Sequence, residues 1–225
     1  MGILQNFVVF EGPDGSGTTT QLNILGNLLH PADKSPDYLH VAEPAVLCVN
    51  DLPIYKTFEP TNGSIGKLIR SSLRKEIDLS PETIAYLFAA DRSEHLYGKE
   101  GIIARCRRGE LVVSDRYLLS SLVYQGITCG EELPARLNQG FPQPELLIFL
   151  DIESETAQKR MAGRDQKEIY EDLEFQAQVC LRYKALLPIL AEQGVRVEII
   201  DSSPPAIEVA AKVWALVKNL PIFKG

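Results

Sequence analysis

The sequence predicts an α/β fold with a five-stranded parallel sheet and helices on both faces. Three observations carry this reading: apolar, β-branched runs recur along the 225 residues, helix-period segments separate them, and the first run ends in a glycine-rich turn that opens a helix. The first strand is read over 7–10, with a helix over 19–29 after the turn. Residues 31–53 form a long connection with four prolines, Pro31, Pro36, Pro44 and Pro53, around a short apolar run at 46–49. That segment has room for an extra hairpin or an ordered surface excursion. The second strand follows at 54–58, then helices at 65–75 and 81–108, the latter broken near Gly98. Further strands are read at 111–114, 146–150 and 195–200, with helices at 120–125, 154–163, 171–193 and 204–219. No repeat is visible, and the length suits one domain over 1–225.

The charge balance is 23 basic against 30 acidic residues, a net −7. A surface of that sign argues against coating extended nucleic acid, but leaves room for a small basic pocket. No apolar window approaches the length of a membrane helix, and the N-terminus lacks the basic start and apolar core of a secretory signal. Cys48, Cys106, Cys129 and Cys180 are scattered without a Cys-x-x-Cys pair, as expected of free thiols in a reducing cytoplasm. Three histidines, His30, His40 and His95, give little support to a histidine-built metal centre.

The strongest chemical signal is Gly12-Pro13-Asp14-Gly15-Ser16-Gly17-Thr18-Thr19, between a predicted strand and a predicted helix. Such a loop presents backbone N–H groups and a helix N-terminus to phosphate. Its lysine position is Thr18, so the ammonium that bridges transferring phosphates is absent, while Thr19 keeps the hydroxyl expected on Mg²⁺. Asp115 ends a predicted strand, where a carboxylate can hold Mg²⁺ or its water shell, and Arg116 beside it carries a fork suited to phosphate. Phe88, Arg92 and His95 share one helix face by their spacing, as do Ser120 and Tyr124. Arg160, Arg164 and Lys167 would form a cationic stripe if helical, although a solvated helix has the same pattern. Arg105, Arg107 and Arg108 precede Gly109 and read as complements to a helix dipole.

Longer stretches fall into register with these. They are Phe10-Glu11-Gly12 through Gly17, Phe58-Glu59-Pro60-Thr61-Asn62-Gly63 with Ile69-Arg70, Leu87-Phe88-Ala89-Ala90-Asp91-Arg92, and Asp115-Arg116-Tyr117 with Ser120-Ser121 and Tyr124-Gln125-Gly126. Pro144-Glu145 leading to Asp151, then Arg160 and Arg164, completes the set. In these stretches the chain resembles the thymidylate kinase family of nucleoside monophosphate kinases, over nearly its whole length except 31–53.

The resemblance implies a P-loop fold with a lid near 153–171 and an atypical insertion near 31–53. It implies Mg²⁺-dependent transfer of the γ-phosphoryl of ATP to dTMP, giving dTDP and ADP for dTTP synthesis, by a cytoplasmic homodimer with no membrane or extended nucleic-acid partner. The ATP side would be Gly12, Pro13, Asp14, Gly15, Ser16, Gly17, Thr18, Thr19 and Thr20. The dTMP side would be Asp14, Glu59, Pro60, Arg70, Phe88, Arg92, Arg116, Ser120, Ser121, Tyr124 and Gln125. Within it Phe88 stacks on thymine, Arg92 reaches its O4, and Tyr124 crowds the 2′ position. Thr19 with Asp115 or Asp14 would lie near the metal, and Asp14, Arg116, Arg160 and Arg164 would carry catalysis. One of the lid arginines, Arg160 or Arg164, is expected to replace part of the missing lysine charge. Two other readings stay open: a kinase for another nucleotide or deoxynucleoside, and a nucleotide-binding homologue whose turnover went with the lysine.

Overall fold

The computed structural model describes residues 2–29, 46–49, 52–161, 170 and 173–224. Six strands form one sheet: β1 (Ile3–Glu11), β2 (Val46–Val49), β3 (Leu52–Phe58), β4 (Leu111–Asp115), β5 (Gln143–Asp151) and β6 (Arg196–Asp201), in the order β2-β3-β4-β1-β5-β6. The last five in this spatial order are parallel, as expected, and β2 adds an antiparallel edge with Val46 opposite Tyr55 and Val49 opposite Leu52. That edge is the hairpin for which the proline-rich connection had room; the rest of 31–51 lies outside the described residues.

The helices are α1 (Thr18–Leu29), α2 (Ser64–Leu73), α3 (Pro81–Tyr97), α4 (Ile102–Arg107), α5 (Leu118–Cys129), α6 (Glu132–Leu137), α7 (Ser154–Met161), α8 (Leu173–Glu192) and α9 (Ala206–Val217). Alternation along β1 sorts its side chains between two layers. Val8 and Phe10 pack with Leu22 and Leu25 of α1 and Val213 and Val217 of α9. Phe7 and Val9 pack on the other side with Leu96, Ile102, Tyr117 and Leu118 from α3 to α5. A third cluster joins Leu119 and Val123 of α5 to Val179, Tyr183 and Leu187 of α8 over Leu147 and Phe149. Each fully buried large side chain of this kind contributes about 1.5–3 kcal/mol. Gly12 follows the carboxyl end of β1 and Arg116 that of β4, strands that lie side by side in the sheet.

Several boundaries differ from the sequence reading for local reasons. Strand β1 starts at Ile3 because its pairing with β5 resumes across an irregularity at Asn6, which takes a left-handed φ of 64°. The Asn6 N–H turns aside to Glu145 Oε2 at 2.6 Å. Helix α5 continues through Gly126, where Arg182 of α8 packs so closely that a Cβ would stand 2.7 Å from its guanidinium. Helix α6, only six residues long and containing Pro134, shows no periodicity to read. The arginine cluster does end a helix, with Arg105 and Arg107 in the last turn of α4 and Gly109 at a left-handed φ of 84° after it; beyond that, Arg105 pairs with Glu110 at 2.8 Å and stacks over Tyr55, and Arg108 bridges Glu100 and Glu110. Cys106, Cys129 and Cys180 are unpaired thiols, and the Cys48 side chain lies outside the described residues.

Candidate functional site

The chain leaves β1 at Glu11 and enters α1 at Thr18 through a tight loop whose Ser16 N–H donates to the Pro13 carbonyl at 3.1 Å. Gly15 and Gly17 adopt φ of 84° and 94°, a left-handed region that side chains other than glycine rarely enter. A Cβ on Gly15 would also stand 2.6 Å from the Ala157 carbonyl, so α7 lies directly over the loop. Thr18 is 6% exposed, and residues 12–20 contain no cation. Thr19 Oγ1 donates to Asp115 Oδ2, while Asp115 Oδ1 is buried without a partner. An all-oxygen pair with an unsatisfied carboxylate atom, beside a phosphate-type loop, suits a hard cation such as Mg²⁺.

Next to the loop lies a cavity of about 120 Å³. Ten of the residues expected on the acceptor side line it: Asp14, Glu59, Pro60, Phe88, Arg92, Arg116, Ser120, Ser121, Tyr124 and Gln125. Leu73, Tyr117 and Tyr170 complete the wall. Gln125 Oε1 is buried and has no hydrogen-bond partner. Tyr124 packs on Tyr170, Phe175 and Tyr183 at ring separations of 5.4, 6.1 and 6.4 Å, so its ring is held from three sides.

Arg92, 1% exposed, is fixed by a buried network. Its Nε donates to Glu59 Oε2 at 2.9 Å, Nη2 to Ser121 Oγ at 2.9 Å and Nη1 to Asn138 Oδ1. Nη2 also lies 2.7 Å from Glu59 Oε2, so one N–H, on Nη1, is left for a ligand. The other Glu59 oxygen contacts His95 Nδ1 at 3.0 Å, and His95 Nε2 contacts Thr57 Oγ1 at 2.6 Å. His95 thus belongs to the support of Glu59, not to the cavity wall.

Arg116 takes a left-handed φ of 68°, held by its N–H on the Phe10 carbonyl at 2.8 Å. Its Nη1 donates to the Gly12 carbonyl at 3.0 Å, and its Nη2 meets Asp14 Oδ1 at 2.5 Å. Burial works to lower the guanidinium pKa, but the facing Tyr124, Asp14, Tyr183 and Asp115 more than reverse this, so Arg116 stays charged. The same side chain lines a second cavity with Thr19, Asp115, Glu59, Pro60 and Arg70. Arg70 is outside the first cavity; its guanidinium clamps the 60–62 loop through the Pro60 and Thr61 carbonyls and Asn62 Oδ1. Asp91 holds the same loop by accepting from the Thr61 N–H and hydroxyl at 2.7 and 2.6 Å.

A third cavity lies across the loop, lined by Gly15, Ser16, Gly17, Thr20, Gln21, Arg160 and residues 202–206. Arg160 donates to the Ser202 and Ser203 carbonyls at 3.0 and 3.2 Å. Arg164 and Lys167 lie outside the described residues. Sequence reasoning missed the Ser202–Ala206 turn as a wall; the usable signal was its place after a strand's carboxyl end. It also missed Asn138, Tyr183 and Gln176, whose Nε2 donates to Asp14 Oδ2 at 3.0 Å, all from distant elements, and the role of Glu11.

Glu11 is fully buried, and desolvation raises its pKa to about 7 against the opposing effects of Ser120, Arg116 and Tyr183. A carboxyl raised from 4.5 to 7 adds stability below pH 4.5 that is lost as pH rises through 7, about 3 kcal/mol in full. The unfolding free energy of the wild type relative to Glu11→Gln is therefore expected to fall from pH 5 to pH 8, read by urea denaturation at both. A rise would contradict the assignment.

The family model for thymidylate kinase matches residues 10–213. The chain belongs to the thymidylate kinase family. A Treponema pallidum (strain Nichols) protein named as a thymidylate kinase is 39% identical over 187 residues, covering 83% of this chain and 81% of its own length. The "Probable thymidylate kinase" of Pyrobaculum aerophilum is 37% identical over 219 residues, 97% of this chain and 99% of that one. That of Methanococcus aeolicus is 38% identical over 185 residues, 82% and 80% of the two chains. Membership accounts for the order in which the phosphate loop, the Glu59-Pro60 wall, the Arg92 helix and Asp115-Arg116 occur along this thymidylate kinase family chain. No helix among its described residues is long and apolar enough to cross a membrane.

Proposed function

We propose that the chain transfers the γ-phosphoryl group of ATP to dTMP, giving dTDP and ADP, as a cytoplasmic homodimer in dTTP synthesis. The observation that carries this is the meeting, at one phosphate loop, of a donor-side cavity and an acceptor-side cavity whose Arg116 is tied to the loop through the Gly12 carbonyl. In the acceptor cavity thymine stacks on Phe88 and the free Nη1 N–H of Arg92 reaches its O4. Gln125 offers an unpartnered acceptor, and Tyr124 fills the space a 2′-hydroxyl would need. Asp14 faces the sugar 3′-hydroxyl and acceptor phosphate, and Arg116 neutralises that phosphate. Phosphoryl transfer is mainly alignment and charge neutralisation, which these fixed side chains supply without rearrangement.

Mg²⁺ would be held by Thr19 and Asp115, where it neutralises charge on the donor phosphates. Helix α7, at the start of the lid expected near 153–171, lies over the loop with Ala157 against Gly15. With Thr18 in the lysine position, Arg160 or Arg164 of that lid supplies the missing charge. Arg160 already borders the loop on the donor side. Loss of the compensating arginine is expected to lower kcat by about 10²-fold, the usual cost of one transition-state donor, and Thr18→Lys to raise it less than about 10-fold. If Arg160→Ala and Arg164→Ala both left turnover unchanged while Thr18→Lys raised it greatly, the compensation idea would be wrong.

Thr18 also favours a second reading, a nucleotide-binding homologue without turnover. Affinity by calorimetry and ADP release by a coupled assay, run across a monophosphate and nucleoside panel, separate the two. Turnover with dTMP supports a kinase; tight dTMP binding with no ADP release supports the silent homologue, and turnover restricted to another acceptor moves the specificity.

A further inference from the structure

We propose that Glu11 is a positioning residue: its carboxylate holds the Ser120 and Tyr183 hydroxyls so that their lone pairs face Arg116, and thereby fixes the Arg116 guanidinium between the phosphate loop and the acceptor cavity. Glu11 is the last residue of β1 and does not line that cavity. Its Oε1 accepts from the Tyr117 and Ser120 backbone N–H groups at 3.0 and 3.2 Å, and its Oε2 from Ser120 Oγ at 2.6 Å and Tyr183 OH at 2.9 Å.

Above pH 7 the Glu11 carboxyl is mostly ionised and only accepts, so both hydroxyl hydrogens point at Oε2. The oxygens of Ser120 and Tyr183 are then left as acceptors, and each takes Arg116 Nη1 at 3.2 Å. Three elements converge here: β1 supplies the anion, the start of α5 supplies Ser120, and α8 supplies Tyr183. Arg116 is the cation that faces this carboxylate, with Asp14 on the far side of the guanidinium. Two layers of donors and acceptors therefore have a single consistent polarity, running from Arg116 inward to Glu11. A buried carboxylate costs stability unless something uses its charge, and orienting two hydroxyls toward a substrate-binding arginine is such a use.

Glu11→Gln tests this with almost no change of shape. The amide oxygen can still accept from the Tyr117 and Ser120 N–H groups, but the NH₂ then meets the two hydroxyls. One hydroxyl can then donate to the other across 2.9 Å, and the hydrogen left over is aimed at the Arg116 N–H. The proposal rests on the kinase reading above, so the first readout is dTDP formation from dTMP and ATP. Glu11→Gln is expected to lower kcat/KM for dTMP by about 100-fold, in line with loss of one aligned donor, while KM for ATP changes less than about 3-fold. Tyr183→Phe keeps the ring in the core and removes one of the two hydroxyls, so a loss of about 10-fold is expected. The double variant should be no worse than Glu11→Gln alone, because both act through one network.

Thermal unfolding and ATP affinity establish that each variant is folded. A folded Glu11→Gln with kcat/KM within about 3-fold of wild type would overturn the proposal, as would losses that multiply in the double variant. Should the wild type turn over no acceptor, the kinase reading fails on its own. Calorimetry with dTMP then decides on Glu11: tenfold weaker binding in Glu11→Gln supports its role, and unchanged binding overturns it.

Discussion

Arg116→Ala is expected to lower kcat/KM for dTMP by about 10³-fold, the largest functional loss of any single substitution in the cavity. The guanidinium holds the Gly12 carbonyl, Asp14, Ser120 and Tyr183 together and sits over the Tyr124 ring at 5.3 Å. Its removal costs the acceptor phosphate its cation and leaves Asp14, its half-buried partner, facing that phosphate uncompensated. Arg116→Lys keeps the charge but replaces a planar fork with a single ammonium, which cannot reach four acceptors in fixed directions. It should recover no more than about tenfold of the loss. Steady-state kinetics with dTMP, alongside ATP affinity as a control for folding, give the answer. Arg116→Ala turning over within tenfold of wild type would remove Arg116 from the chemistry.

The second large effect falls on stability. Arg92→Met is expected to destabilise the fold by about 3–5 kcal/mol, because it strands Glu59 in the interior, and to abolish measurable dTMP affinity. For a chain of this size that corresponds to a fall of about 10 °C in unfolding temperature. The remaining Glu59 contact, His95, is itself committed to Thr57 on its other nitrogen. Adding Glu59→Gln to Arg92→Met removes the stranded charge and should restore roughly half of the lost stability without restoring dTMP binding. An unfolding temperature within 2 °C of wild type for Arg92→Met would show that water or rearrangement reaches Glu59 far more easily than its burial implies.

What could be read from the sequence was whatever is encoded locally. Asp14, Thr18 and Thr19 share one loop, Phe88 and Arg92 share one helix face, and Asp115 and Arg116 are adjacent, so spacing alone brought each set together. Five parallel strands were legible because each is a compact apolar run covered by helices. The partners that aim these residues were not legible, since the topology supplies them from far along the chain. Asn138 reaches Arg92 across 46 residues, and Tyr183 reaches Glu11 across 172. Arg70 combines both kinds: it lines the cavity shared with Thr19, Asp115 and Arg116, while the Pro60 and Thr61 carbonyls fix its guanidinium there. Glu11 stood in plain view inside the motif, yet only the convergence of α5 and α8 on its carboxylate gives it a task. The antiparallel edge β2 was open to two readings because a four-residue run among prolines has too little pattern to choose between them.

The central claim is that a phosphate loop without its lysine still delivers the γ-phosphoryl of ATP to dTMP. The most direct measurement follows label from γ-³²P-ATP into nucleotide product, with wild-type protein, Mg²⁺ and dTMP, and ribothymidine 5′-monophosphate as the ribose control. The account predicts labelled dTDP in step with ADP and little labelled ribothymidine diphosphate. Saturating dTMP binding with no labelled dTDP, under conditions where Thr18→Lys produces it, would contradict the claim.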